Sequence, residues 1–445
     1  MDLRDYQSAA LELARGHALD GRRGCIIVAP TGSGKTRLAG EIISRALLKG
    51  SRILFLAHLR VLVEQAAGHF VGRGFPTGVI MGGIPRNPAL PLQVATPHSW
   101  DSLDTKPPAD LVFIDEAHHA ESPRYTRVLE AYPDAFLVGL TATPQQSLAN
   151  IFDSDAHPIT TLELVDRNVL VPGRYFALQG ASFEREDGQI MVDAGNLVSH
   201  WLRLGENRRT LVFSSRVEHS RAVAAAFLAQ GVPALHVDAA TSRRERDAAH
   251  QKLVNGELRV ISNCGIYLEG YDNPAVSALV LARTAKTKAT YIQICGRGLR
   301  AFPGKRDCII LDMCGNYDMY GPAEGYMPKL DIAEGAEPSV EGYRTCQACW
   351  RIFEAYRTRC PECGTRYIPV KRGMPEMSDV CLREVPPEEV EREARKKLIL
   401  LEGLRHAKTL QDFQNLAEEL GYKPGWAHIR WNLRNGHPPR HSHRF

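Results

Sequence analysis

The chain has 445 residues, 44% of them hydrophobic and 24% charged, with a formal net charge of +4 at pH 7. That length exceeds one ordinary core and suits two or three domains of a globular protein. No run approaches the roughly 20 apolar residues of a membrane span, and the opening Met1-Asp2-Leu3-Arg4-Asp5-Tyr6-Gln7 has no apolar core of a signal peptide. A cytoplasmic protein with no membrane partner is expected. A charge of +4 is too small to argue for nucleic acid without local clustering.

In chain order, Cys25-Ile26-Ile27-Val28-Ala29 reads as a buried strand, Thr36 to Lys49 as a helix, and Ile53-Leu54-Phe55-Leu56-Ala57 as a second strand followed by a helix through Val63 and Phe70. Leu111-Val112-Phe113-Ile114 and Phe136-Leu137-Val138-Gly139-Leu140 are further strands. Continuous apolar strands alternating with helices predict a parallel sheet covered on both faces. The pattern breaks around 150–175, at Pro158, Pro172 and Gly173, and then restarts. Thr210-Leu211-Val212-Phe213, Ala234-Leu235-His236-Val237, Arg259-Val260-Ile261, Leu279-Val280-Leu281 and Asp307-Cys308-Ile309-Ile310-Leu311 carry the second series, with a helix from Val217 to Ala229. The expected fold class is α/β, with two tandem parallel-sheet domains over 1–158 and 159–325.

A linker rich in Gly, Pro and Glu is expected over 326–342, a four-cysteine module over 343–370, and a basic helical region over 371–445. In that last region a charged helix runs from about Pro387 to Leu404. A shorter one starts at Thr409, where Asp412 three residues on predicts a capping box and Gly421 a stop. From Leu420 onward there is no acidic residue, and Lys423, Arg430, Arg434, Arg440 and Arg444 interleave with Tyr422, Trp426 and Trp431. Two readings stay open: a contact to a nucleic-acid backbone, or aromatics that pack a small terminal unit under solvated charges.

Ala29-Pro30-Thr31-Gly32-Ser33-Gly34-Lys35-Thr36 lies between a strand and a helix. Gly32 and Gly34 allow the backbone, with Thr31 and Ser33, to curl its N–H groups toward phosphate oxygens. Lys35 is placed to reach the β- and γ-phosphates of ATP, and Thr36 to ligate Mg²⁺. Asp115-Glu116-Ala117-His118 follows a strand, at the sheet edge where ligands bind in such folds. There Asp115 would hold Mg²⁺ and Glu116 would orient and deprotonate the attacking water. His118 has no second ligand at zinc spacing and is expected to couple to the second domain.

These residues resemble the superfamily 2 helicases of DEAD/DEAH type, with Ala29 where the usual phosphate-loop pattern has its first glycine. Leu3-Arg4-Asp5-Tyr6-Gln7 is similar to the adenine-reading segment of that family, with Gln7 as the base contact. Leu56-Ala57-His58-Leu59-Arg60 with Glu64-Gln65 resembles motif Ia, Ala95-Thr96-Pro97 the next strand-contacting motif, and Leu140-Thr141-Ala142-Thr143-Pro144 motif III. Val212-Phe213-Ser214-Ser215 resembles motif IV. Leu268-Glu269-Gly270-Tyr271-Asp272-Asn273-Pro274 resembles motif V, with Leu268 where the family often has Thr. Gln293-Ile294-Cys295-Gly296-Arg297-Gly298-Leu299-Arg300 resembles motif VI.

The resemblance implies two RecA-like domains with a composite ATP site. The first domain supplies Gln7, Lys35, Asp115 and Glu116. The second supplies Arg297 and Arg300 as arginine fingers, with Gln293, Gly270 and Asp272 nearby. The motif VI run, then Pro303-Gly304-Lys305 and Ile310-Leu311-Asp312, together with the later cysteines, is similar to the RadD-like DNA repair branch. Type III restriction subunits have a similar motor but carry a nuclease, of which no motif is visible in this chain. The implied activity is ATP hydrolysis coupled to movement on, or remodelling of, single-stranded or branched DNA. Repair or replication proteins are expected partners. RNA as the track, and protein–DNA remodelling without unwinding, are the competing readings.

Cys346-Gln347-Ala348-Cys349 and Cys360-Pro361-Glu362-Cys363 form two C-x₂-C pairs, which suits tetrahedral Zn²⁺ in a ribbon. A disulfide pair is disfavoured in the cytosol. Arg344, Trp350, Arg351, Tyr356 and Arg357 around them mix stacking and phosphate-binding side chains, which points to nucleic acid; a folding staple or a protein contact is the alternative. Cys25, Cys264, Cys295, Cys308 and Cys314 sit in or beside apolar runs, and they and Cys381 are expected mostly as small buried hydrophobes.

Overall fold

The computed structural model describes residues 3–178, 192–268, 270–326, 343–345, 352–354, 381–422 and 425–434. The first domain is one sheet of β1 (Gly24–Val28), β2 (Ile53–Leu56), β3 (Thr77–Ile80), β4 (Leu92–Ala95), β5 (Leu111–Asp115), β6 (Phe136–Thr141) and β7 (Ser154–Ala156). Its seven strands run in the order β3-β4-β2-β5-β6-β1-β7, and all the pairs are parallel. Parallel pairing requires crossovers, so helices cover both faces, and the central strands are buried on both sides as their unbroken apolar runs demand. One face packs Ile27, Phe55, Phe113 and Phe70; the other packs Ile26, Leu54, Trp100 and Phe152.

Register then decides the site. Val28 pairs with Thr141 and Asp115 with Leu140, so the carboxyl ends of β1, β5 and β6 finish together on one edge. The first-domain loops that follow strands and are expected to carry chemistry leave from that edge, because parallel strands all end on the same side of the sheet.

The second sheet comprises β8 (Gly173–Leu178), β9 (Thr210–Ser214), β10 (Ala234–Val237), β11 (Val260–Cys264), β12 (Ala278–Ala282) and β13 (Cys308–Asp312), in the order β10-β11-β9-β12-β13-β8. β14 (Tyr343–Thr345) and β15 (Ile352–Glu354) form a separate antiparallel hairpin, and β16 (Leu382–Glu384) returns to pair antiparallel with β8 as the seventh strand of the second sheet. Two strands differ from the sequence reading. Gly173, taken as a breaker, begins β8. β16 comes from the segment expected to be helical. Neither is visible as a period: β8 follows two residues with no regular structure, and β16 is three residues long.

Between the sheets, Thr160 caps the helix Thr161–Asp166 in a box with Glu163. After β16 the helix Pro387–His406 packs back on the second domain. Tyr317 Oη donates to Glu393 at 3.3 Å, and Lys397 Nζ donates to the Tyr320 carbonyl at 2.9 Å. The capping box at Thr409 forms as expected, with Asp412 N donating to its Oγ1 at 3.2 Å and Thr409 N donating to Asp412 Oδ2 at 2.7 Å. Gly421, at φ +69°, ends that stretch. A further helix, Gly425–Arg434, occupies part of what read as a basic tail. Its aromatics serve packing: Tyr422 stacks on Trp426 at 4.9 Å beside Phe413 and Ala427, and Arg434 donates to the carbonyls of Leu404 and Ala407. Among the described residues no helix is long and apolar enough to cross a membrane. Cys25, Cys295, Cys308 and Cys314 are buried, Cys264 is half-buried and Cys381 exposed.

Candidate ATP site between the two domains

β1 ends at Val28, and the chain turns through Ala29–Gly34 into the helix Lys35–Leu48. Gly32 and Gly34 both adopt φ +86°, a left-handed conformation that side chains resist. Space excludes a side chain as well: a Cβ on Gly34 would lie 2.5 Å from the Gln7 amide nitrogen, and one on Gly32 would lie 2.8 Å from Leu170. Lys35 leans back over the loop, and its ammonium donates to the carbonyls of Ala29 at 3.1 Å and Pro30 at 3.4 Å. Thr36 follows on the first helical turn and is exposed. A curled glycine backbone with an ammonium inside the curl fits a nucleotide's phosphates.

Gln7 sits beneath this loop rather than facing out from it. Its Nε2 donates to the Ser33 carbonyl at 3.1 Å and to that of Gly34 at 3.3 Å, while its Oε1 accepts from Arg4 N at 3.0 Å. Tyr6 Oη adds a 2.8 Å bond to the same Ser33 carbonyl. Only 2% of Gln7 is exposed. Gln7 thus braces the loop, with both ends of its amide bonded to backbone.

Asp115 closes β5, and Glu116 follows at φ +48°, an uncommon conformation for a residue with a Cβ. Burial, with the neighbouring Glu116 charge, pushes the Asp115 carboxyl well above the usual carboxylate range against the pull of Lys35. Burial likewise lowers the Lys35 ammonium against Glu116 and Asp115, with Arg300 and Arg297 near enough to add repulsion. Thr36 and Asp115 are the oxygen donors that would hold Mg²⁺. His118 Nδ1 lies 3.5 Å from Glu116 Oε2 and 3.4 Å from Thr141 Oγ1, which also accepts from Thr143 N at 3.1 Å.

The second domain closes on this edge through the helix Lys288–Gly298. Gly296 rests on the phosphate loop: a Cβ there would stand 3.0 Å from the Thr31 Cβ. Gln293 Nε2 reaches Thr143 Oγ1 at 3.4 Å. Arg300 bridges to Leu170 through its backbone and pairs with Asp272 through its side chain. Arg297 is 8% exposed and ties down the motif V loop, donating to the carbonyls of Tyr271 at 3.0 Å and Leu268 at 2.9 Å. Gly270 faces the first domain. At φ +71° it abuts Val61, and its carbonyl accepts from Gln65 Nε2 at 3.2 Å, so it meets the helix Arg60–Gly72. Gly270 thus meets the first domain through that helix, while Asp272 pairs with Arg300, whose Cγ would stand 3.6 Å from a Cβ on Gly32 of the phosphate loop.

A family model described as the type III restriction enzyme res subunit matches residues 1–146, and one described as the helicase conserved C-terminal domain matches residues 194–302. The chain belongs to the superfamily 2 helicases. These helicases are ATP hydrolases. A 51.5 kDa protein of a Lactococcus phage is 26% identical, over 76% of this chain and 77% of its own length. The putative mitochondrial ATP-dependent helicase irc3 of Schizosaccharomyces pombe is 29% identical over 71% of this chain, which spans 57% of that protein. A solved fragment of a putative HsdR subunit of a type I restriction enzyme from Vibrio vulnificus shares the fold, at a TM-score of 0.59, 21% identity, and coverage of 74% of this chain and 67% of that one.

Two features of this helicase escaped the sequence. Lys305 gathers the carbonyls of Pro274, Val276, Gly298 and Arg300, joining motifs V and VI; its run hinted at a family branch but not at that role. Glu64 pairs across the cleft with Arg243 at 2.6 Å, a contact between residues 179 apart in the chain that no local pattern reveals. Cys346, Cys349, Cys360 and Cys363 lie outside the described residues.

Proposed function

We propose that the chain is a DNA helicase or translocase in which ATP hydrolysis drives movement on, or remodelling of, DNA. The observation that carries this reading is the seating of the helix Lys288–Gly298 on the phosphate loop, with Gln293 on Thr143 and Gly296 on Thr31. Lys35, with the loop N–H groups of Thr31 to Thr36, holds the phosphates. Bound Mg²⁺, held by Thr36 and Asp115, would neutralise phosphate charge. Glu116 orients the attacking water and accepts its proton. Arg300 and Arg297 come from the other domain, so the charge developing on the transferring phosphoryl group is stabilised only when the cleft is closed. A finger of this kind is worth about 10³–10⁵ in rate. Closing and reopening then shift the strand-gripping surfaces of the two domains against each other.

DNA as the track is supported by the match to restriction-enzyme motor subunits. A role in repair, recombination or replication, with membership of the RadD-like branch, is supported by the motif VI run and the cysteine cluster. Zinc on Cys346, Cys349, Cys360 and Cys363 is supported by their spacing and by the β14–β15 hairpin that precedes and enters it. A cytoplasmic setting suits four cysteines kept reduced as zinc ligands. The domain limits 1–158, 159–325, 343–370 and 371–445 stand as part of this reading, with β16 lent back to the second domain.

Steady-state ATPase activity with no nucleic acid, single-stranded, duplex and forked DNA, and RNA tests it, with Glu116→Gln as control. Strong stimulation by DNA over RNA is expected. Stimulation by RNA alone would move the track to RNA, and strand displacement separates unwinding from remodelling.

A further inference from the structure

β2 and β5 are neighbours in the first sheet, with Leu56 opposite Ile114. Two residues beyond each strand's pairing, His58 therefore comes level with the turn that holds Glu116, and the short helix Ala117–His119 follows at once. The His58 and His119 rings touch at a tilt, with centroids 4.1 Å apart and planes at 44°, and His119 and His118 do the same at 4.2 Å and 43°. His118 ends the series 3.5 Å from the Glu116 carboxylate, and His119 N donates to the Glu116 carbonyl at 3.0 Å. Three imidazoles thus run unbroken from the end of β2 to the proposed general base.

Both ends of this row of rings are sensitive to position. Glu116 stands at φ +48°, a conformation that persists only where its surroundings over-determine it. His58 directly precedes the turn into the helix Arg60–Gly72, whose first two turns touch the second domain: Val61 against Gly270, Gln65 on the Gly270 carbonyl, Glu64 on Arg243. The segment resembling motif Ia, a strand-gripping surface, runs from Leu56 through His58 into that helix.

We propose that the His58–His119–His118 row of contacting rings is a positioning relay that passes the state of the strand-gripping segment to Glu116, so that nucleic acid in the cleft accelerates hydrolysis. His119 is the positioning residue at its centre. This rests on the DNA-motor reading above. Aromatic rings in contact have few alternative arrangements, so a shift of the helix Arg60–Gly72 carries His58 and with it the rings that fix the Glu116 turn. The relay needs contact between flat rings and does not need charge, so phenylalanine at 119 should carry it and alanine should not.

The test measures ATPase rate at saturating ATP while single-stranded DNA is titrated, for the wild type, His119→Ala and His119→Phe. Coupling between sites is ordinarily a factor of about 5 to 150. His119→Ala is expected to keep the DNA-free rate and the half-saturating DNA concentration while its maximal stimulation falls at least about 5-fold. His119→Phe is expected to recover most of the stimulation. His119→Asn repeats the test if the alanine variant does not fold. Full stimulation in His119→Ala overturns the relay, as does a parallel loss of the DNA-free rate in both variants, which would mark a local effect on the chemistry. A wild type that no nucleic acid stimulates removes the motor reading itself, and the relay with it.

Discussion

Gln293 and Thr143 meet across the cleft, the amide nitrogen of one domain 3.4 Å from the hydroxyl of the other. Thr143 is 2% exposed, and its backbone N–H is held by Thr141 Oγ1, which also neighbours His118. The pair therefore joins the second domain to the turn behind Glu116. Gln293→Ala and Thr143→Ala should each lower kcat by about tenfold, a coupling of about 1.4 kcal/mol, and the double variant should be no worse than the poorer single one. Fully additive losses in the cycle would show that the two side chains act independently.

Lys35→Ala should lose ATP binding as well as hydrolysis, because the ammonium sits inside the phosphate curl. Glu116→Gln should bind ATP and hydrolyse it at least about 10²-fold more slowly. Fluorescent-nucleotide binding and single-turnover hydrolysis measure the two separately. Wild-type ATPase in Lys35→Ala would falsify the phosphate-loop assignment.

The two arginines should separate in experiment. Arg297 is buried and holds the carbonyls of Tyr271 and Leu268, so Arg297→Ala should lower both kcat and the melting temperature. Arg300 lies nearer the surface, paired to an exposed Asp272. Arg300→Ala should cost about 10³ in kcat with little change in thermal unfolding. Equal melting losses in both variants would contradict this division.

One zinc ion per chain is expected by elemental analysis of the purified protein, lost in Cys360→Ser with Cys363→Ser. A metal-free wild type would leave the four cysteines to another role. Because the two sheets have their own cores, ATPase activity without DNA should survive the double substitution.

Asp312 ends β13 and accepts from Tyr317 N at 2.6 Å, Cys314 N at 3.2 Å and Asn316 Nδ2 at 2.8 Å. Burial outweighs these bonds and raises its carboxyl from 3.8 to about 6. A raised native value means the folded state binds the proton more tightly than the unfolded chain. The contribution to stability is then full below 3.8 and is lost as pH rises through about 6. The difference in unfolding free energy between wild type and Asp312→Asn should therefore shrink from pH 4 to pH 7. Chemical denaturation across that range measures it, and a constant difference would refute the shift.

The sequence by itself determined the two sheets and the ATP edge. Buried parallel strands must be continuously apolar, and a phosphate loop needs Gly32, Gly34 and Lys35 within a few residues of one another, so both signals are local. The capping box of Thr409 with Asp412 was legible for the same reason. Only the tertiary structure decided what depends on residues far apart in the chain. It spent the amide of Gln7 on the loop backbone, turned Gly270 toward Val61, and brought β16 back across more than two hundred residues to β8. It gave the aromatics around Trp426 to packing and set the His58 ring against that of His119. Periodicity and spacing report which residue types a short segment needs. Which partner each side chain finds is set by strand order and register, and these are properties of the whole sheet.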